Sequence, residues 1–253
     1  MKNILVTLIV TAFAFQVLAQ KMDNDLWLQD LEAYKTGLEQ KHIDVYNKIS
    51  DNEFDSELEI IKSSIGNKTD FQLVMDLMRL TRKIGDGHTA ISLSNIETHN
   101  FPFEIKQFGN DWRIVKIAQP FGHLLGTRLI AVDETPMAIA AQKVGEVAQF
   151  VENPHSKIIR TAQYFPISEL LFELNLIKQK EKASFTFKSD DGTVFTETLT
   201  VSANNEPVEF TELTISVPEI EKPEETLITG FWYAPISGTD ALYIHFENYP
   251  TFE

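Results

Sequence analysis

The chain contains no cysteine. That excludes disulfides, thiolate metal sites, a cysteine nucleophile and a lipid-modified N-terminal cysteine. Cations are also short: 22 lysines and arginines stand against 37 acidic residues, for a net charge of -15. Nucleic acid is therefore a poor partner, because phosphate contacts need Lys and Arg. Phosphate-cradling, dinucleotide-binding, zinc-protease and nucleophile-elbow motifs are all missing, so no cofactor is expected. The six histidines (His42, His88, His99, His123, His155, His245) are scattered. None pairs with another at the i, i+3 or i, i+4 spacing of a helical metal pair, so no metal site is expected either.

Long apolar runs are confined to the start. MKNILVTLIVTAFAFQVLAQ carries Lys2, an apolar run from Ile4 to Leu18 and the small residue Ala19. This is the pattern of a signal peptide over 1–19, cut between Ala19 and Gln20. A membrane anchor is the rival, but the run is short and the polar QKMDND follows it. No later segment is apolar enough to span a bilayer, so the mature protein is expected to be exported, periplasmic or secreted. The whole chain is 43% hydrophobic, enough to bury a core.

Three amphipathic helices are expected first. Trp27, Leu28, Leu31, Tyr34 and Leu38 recur at helical spacing. Ser50 and Glu53 form a capping box before Phe54, Leu58, Ile61 and Ile65, with Gly66 as C-cap. Thr69 and Gln72 form another before Phe71, Val74, Met75 and Met78, and Gly85 ends that helix. Trp27, Tyr34, Phe54 and Phe71 read as core.

Beyond Gly85 the period becomes strand-like. TAISL (89–93) alternates. FPFEIKQFGNDWRIVKIAQ reads as a hairpin turning at Gly109-Asn110, and LLGTRLIAVDETPM as a strand and turn, with Asp133-Glu134 solvated. MAIAAQKVGEVAQFVEN and SELLFELNLIKQ read as two helices. ASFTFKSDDGTVFTETLTV reads as a hairpin around Asp190-Asp191-Gly192. An acidic, proline-bearing linker follows, then a strand, TDALYIHFENY, with Leu242, Ile244 and Phe246 on one face and His245 on the polar one. The chain stops at PTFE, so this strand reads as the opening of a domain.

The chemistry concentrates in RKIGDGHTAISL (82–93). Gly85-Asp86-Gly87 makes a tight turn ending at His88. An imidazole titrates near neutrality and can take a proton from a hydroxyl and return it to a leaving amine. Asp86 and Thr89 are close enough in sequence to orient it. The plainer reading leaves Asp86 capping the turn, Gly87 supplying a positive φ and His88 making a structural hydrogen bond. His42, ending the first helix, reads as a partner of the helix dipole.

The order of parts resembles the tail-specific, or C-terminal-processing, serine peptidases, tricorn-like members included. KHIDVYNKISDNEFDSELEIIKSSI is similar to their helical lead-in, and LMRLTRKIGDGHTAISL to their helix-to-strand junction. WRIVKIAQPFGHLLGTRLIAVDETPM resembles a PDZ core, with Thr127 in place of Asp, Asp133-Glu134 in place of Asn-Gly, and no Gly-Leu-Gly-Phe loop. Histidine at position 88 sides with the tricorn-like subgroup, though Gly87 stands where those members carry a serine.

The resemblance covers 24–253 but only the family's N-terminal half. It implies an α+β fold: a helical domain (20–84), a strand junction with a PDZ-like β-rich module and two helices (85–203), and an acidic linker with the first strand of an incomplete α/β peptidase core (204–253). It implies peptide-bond hydrolysis by acyl transfer to serine in the complete enzyme, with His88 as base, Asp86, Gly87 and Thr89 in support, and peptide or protein substrates. The segment bearing the nucleophile is absent, so this chain is expected to be inactive. The alternative is a non-catalytic exported module that binds peptide or lipid.

Overall fold

The computed structural model describes residues 22–202, 208–214, 220, 222–224 and 230–247. The expected leader lies outside them, as does much of the acidic linker. The chain divides into two compact units, 1–212 and 213–253. Among the described residues no helix is long and apolar enough to cross a membrane.

The first unit opens with α1 (Asn24–Lys41), α2 (Asp51–Ser64) and α3 (Asp70–Ile84). Each starts on a side-chain cap, from Asp23, Ser50 and Thr69 respectively, and Thr69 with Gln72 completes a reciprocal capping box. Such caps satisfy N–H groups that the first turn leaves unpaired. Helix α2 keeps only the Ser50 half of its expected box, and its cap is Ile65 rather than Gly66.

Helix α3 carries two apolar faces. Leu73, Leu77, Leu80 and Ile84 pack with Trp27, Leu31, Val45, Ile49, Phe54, Leu58 and Ile61 in a helical core. Met75 and Met78 turn instead into the core of the sheet. The sequence reading found the Met75–Met78 face and missed the leucines, which are buried in the other core. One helix thus ties together two hydrophobic cores.

The sheet is antiparallel, in the order β1 (Phe103–Phe108), β2 (Asp111–Ala118), β3 (Arg128–Val132), then β5 (Lys182–Lys188) and β6 (Val194–Thr200). The short β4 (Thr135–Pro136) pairs with β3, and β7 (Phe210–Glu212), from within the expected linker, pairs with β2. Both expected hairpins are present: Phe108 faces Asp111 across Gly109-Asn110, and Lys188 faces Val194 across the Asp190–Gly192 turn. Phe185 is fully buried, with edge-to-face contacts to Phe101 at 4.9 Å and Phe103 at 5.1 Å. Such pairs add to area burial.

Three helices pack on this sheet region, not two: α4 (Met137–Val147), α5 (Pro154–Tyr164) and α6 (Ser168–Glu173). The helix expected to run to Asn153 ends at Val147. A new one begins where Asn153 caps, Ser156 returns the capping box and Pro154 occupies the first turn, a position where its missing N–H costs nothing.

Residues 89–93 form no strand. Their alternation is real, since Ile91 and Leu93 pack against the sheet core, but the Ile91 N–H donates to the Gln149 side chain at 3.0 Å rather than to a neighbouring strand. In the second unit β8 (Phe231–Pro235) pairs antiparallel with β9 (Leu242–Phe246). The terminal strand therefore has a hairpin partner that the alternation of β9 alone did not reveal. Trp232 stacks on His245 at 5.1 Å, so an indole covers one face of a ring that stays 30% exposed.

Candidate functional site

Gly85-Asp86-Gly87-His88 leaves the end of α3 at the seam of the two cores. From the helical side, the Lys48 Nζ donates to the Gly85 carbonyl at 2.9 Å. From the other side, Arg82 donates to the Val151 carbonyl at 2.9 Å. Gln149, fully buried, donates to the Met78 and Val147 carbonyls at 3.0 and 2.8 Å and accepts from Ile91. The loop after α4 is thereby fastened to α3 and to the segment beyond His88. A Cβ on Gly87 would lie 2.9 Å from the Glu152 Oε2, so an alanine there would push the exposed Glu152 carboxylate aside; the positive φ expected at Gly87 belongs to Gly85 instead, at 71°.

Asp86 is the hub. Its Oδ2 accepts the Thr89 hydroxyl at 2.6 Å and faces the His42 Nε2 at 3.4 Å. Its Oδ1 accepts the His88 N–H at 3.1 Å and stands 3.6 Å from the His88 Nδ1. The Thr89 hydroxyl, followed by the His88 N–H and His42, holds the carboxyl below its ordinary pKa, because each donor favours the charged form. Asp86 is thus an ionised acceptor near neutrality.

The His88 ring is 93% exposed. Asp86 is its ionic neighbour, and the opposite edge of the ring is open. The 3.6 Å separation is an ion-pair contact rather than a hydrogen bond; an Nδ1–H turned to the carboxylate would leave the Nε2 lone pair outward, the tautomer a general base needs. The expected supporting residues are therefore sorted by geometry. Asp86 faces the imidazole. Thr89 acts on Asp86 rather than on His88. Gly87 makes room for Glu152 and, with the other three, completes the turn. Three further contributors were not legible as such: His42, read as a dipole partner, and Gln149 and Glu152, which are distant in sequence and carry no motif.

The cluster borders an open cleft of about 750 Å³ lined by Lys41, His42, Asp44, Asp86, His88 and Glu152 among others. No serine or threonine lines it among the described residues. Nor do the described residues contain a group of three or more His, Asp or Glu side chains arranged to hold a metal ion. A second, larger groove of about 870 Å³ lies elsewhere in the first unit, between β1 and α5, walled by Phe103, Ile105, Ile158, Ile159, Ala162 and Phe210 among others.

No protein-family model and no curated protein sequence matches this chain. Solved structures of CPAF, a chlamydial serine protease, do match its fold. Mature CPAF complexed with lactacystin superposes with a TM-score of 0.56 at 13% identity, covering 74% of this chain and 36% of that one. A point mutant of CPAF gives 0.55 at 11% identity, over 73% and 35%. The chain thus spans about a third of the length of the proteins it matches. At this identity the likeness concerns fold alone, and the protein has a mixed α+β, protease-like fold.

Proposed function

We propose that this chain is the base-bearing portion of an exported serine-type peptidase, akin to the tail-specific and tricorn-like enzymes. In this reading His88 takes the proton of a serine hydroxyl as it attacks a peptide carbonyl, then returns that proton to the leaving amine. Asp86 holds the Nδ1–H tautomer and stabilises the imidazolium formed in between. The observation that carries the reading is the fixed Asp86 carboxylate facing Nδ1 of an imidazole whose other edge is open. The fold likeness to CPAF supports it. The sheet region then corresponds to the PDZ-like module, and the leader to export into the periplasm or beyond.

No serine or threonine lines the cleft among the described residues, and a base without its nucleophile contributes almost nothing. The chain alone is therefore expected to be silent. The test is turnover of fluorogenic peptides and unfolded protein by residues 20–253 and by the His88→Ala variant. No hydrolysis by either is expected. Hydrolysis lost on His88→Ala would overturn the silent reading and reveal a nucleophile within the chain.

A second reading, a non-catalytic peptide-binding module, is favoured by the groove between β1 and α5. Strand β1 is a sheet edge with no strand on its outer side among the described residues, and edges of this kind accept an added strand. The same peptides, followed by fluorescence anisotropy, separate the two. Binding abolished by Ala162→Trp, which fills the groove, and indifferent to His88→Ala favours the module.

A further inference from the structure

We infer that His42 is a positioning residue for His88, acting through Asp86. The inference rests on the reading of His88 as a base, and it assigns a role to a residue 46 positions away in sequence that lines the same cleft.

The geometry fixes the state of His42. Its Nδ1 accepts the backbone N–H of Asp44 at 3.0 Å. A nitrogen that accepts carries no proton, so in this arrangement the ring is neutral and Nε2 bears the hydrogen. Nε2 faces the Asp86 Oδ2 at 3.4 Å, and the side chain is only 16% exposed. The ring is therefore held in place by the end of α1, where its own backbone N–H bonds the Leu38 carbonyl at 2.8 Å.

Asp86 then has a defined donor set. Thr89 and His42 share Oδ2, and the His88 backbone N–H takes Oδ1. Thr89 and the His88 N–H both come from the turn itself and would move with it. His42 is the donor that comes from outside. It ties the carboxylate to the helical core, which leaves Oδ1 aimed at the His88 Nδ1, 3.6 Å away. Removing it leaves Asp86 free to turn with its own loop, and the preference of His88 for the Nδ1–H tautomer should go with it.

Ring-nitrogen NMR on the full mature chain, labelled with ¹⁵N-histidine, reads this directly and needs no activity. In the wild type His42 should show the Nε2–H signature, and His88 an excess of Nδ1–H. His42→Ala should abolish that excess while the cooperative unfolding transition persists. His42→Gln, whose side-chain amide reaches about as far as Nε2, should restore it, which a purely structural loss would not. An Nδ1–H excess that survives His42→Ala in a folded protein overturns the role of His42 and leaves the base reading standing. No excess in the wild type overturns the base reading itself.

Discussion

Replacing Gly85 by alanine should destabilise the first unit by more than its backbone strain alone. Gly85 caps α3 in the left-handed region, with φ 71°, a conformation that costs an L-residue about 1 kcal/mol. The lower entropy of the unfolded alanine chain offsets about 0.4–1 kcal/mol of this. The new Cβ would also lie 2.4 Å from the Lys48 Cδ, so the lysine stem must move. Its bond to the Gly85 carbonyl is then lost, at about 0.5–1.5 kcal/mol.

The net expectation is roughly 0.5–2 kcal/mol, with a urea midpoint lowered by about 0.25–1 M for a slope near 2 kcal/mol/M. Gly109→Ala is the control: its φ is 59° and nothing lies within 4 Å of the added Cβ. It carries the backbone penalty without the clash. Lys48→Ala combined with Gly85→Ala should recover the steric share as non-additivity. Equal losses at Gly85 and Gly109 would refute the claim that Lys48 clamps the turn.

Gln149→Leu should cost about 1–3 kcal/mol and lower the melting temperature, because it leaves the half-buried Ile91 N–H without its acceptor and takes the side-chain donor from the Val147 carbonyl and a second donor from the Met78 carbonyl, which keeps its helical bond. A loss below about 1 kcal/mol would mean that these bonds do not fasten the seam. Tyr34 is pushed up to about 12 by burial, the Thr81 bond opposing. The neutral ring is thus favoured in the folded protein, and this raised pKa contributes stability that is complete below pH 10. That stability fades as pH rises from 10 toward 12 and totals roughly 2–3 kcal/mol. Tyr34→Phe should flatten the alkaline limb of a stability-against-pH curve, and an unchanged limb would sink the assignment. Asp86 works in the opposite direction. Its folded pKa is lowered, so its contribution is present above the unfolded carboxylate range and lost as pH falls through the folded value. Asp86→Asn should therefore reduce the acid sensitivity of the first unit in the same curve.

Local signals determined much of this protein. The lack of cysteine and the acid excess closed off whole classes of chemistry. The three opening helices and both main hairpins were legible because each rests on near neighbours: Thr69 with Gln72, Gly109-Asn110 between alternating runs, Asp190 to Gly192 at a turn. Helix α5 had its own signal, Asn153-Pro154 with Ser156, hidden by reading α4 through it. His88 was singled out by its turn, with Asp86 and Thr89 beside it.

The tertiary structure alone decided what these residues do for one another. TAISL alternates like a strand, yet its N–H at Ile91 goes to the side chain of Gln149, 58 positions later. A side-chain acceptor leaves no periodic trace. Helix α3 shows one apolar stripe when matched to a single core and two when set between two. His42 is a helix end in the sequence and a donor to Asp86 in the fold, because packing in the helical core and the Tyr34–Thr81 bond bring α1 and the end of α3 together. The sequence determined that a histidine follows a tight turn. The fold decided which carboxylate faces it, and what holds that carboxylate in place.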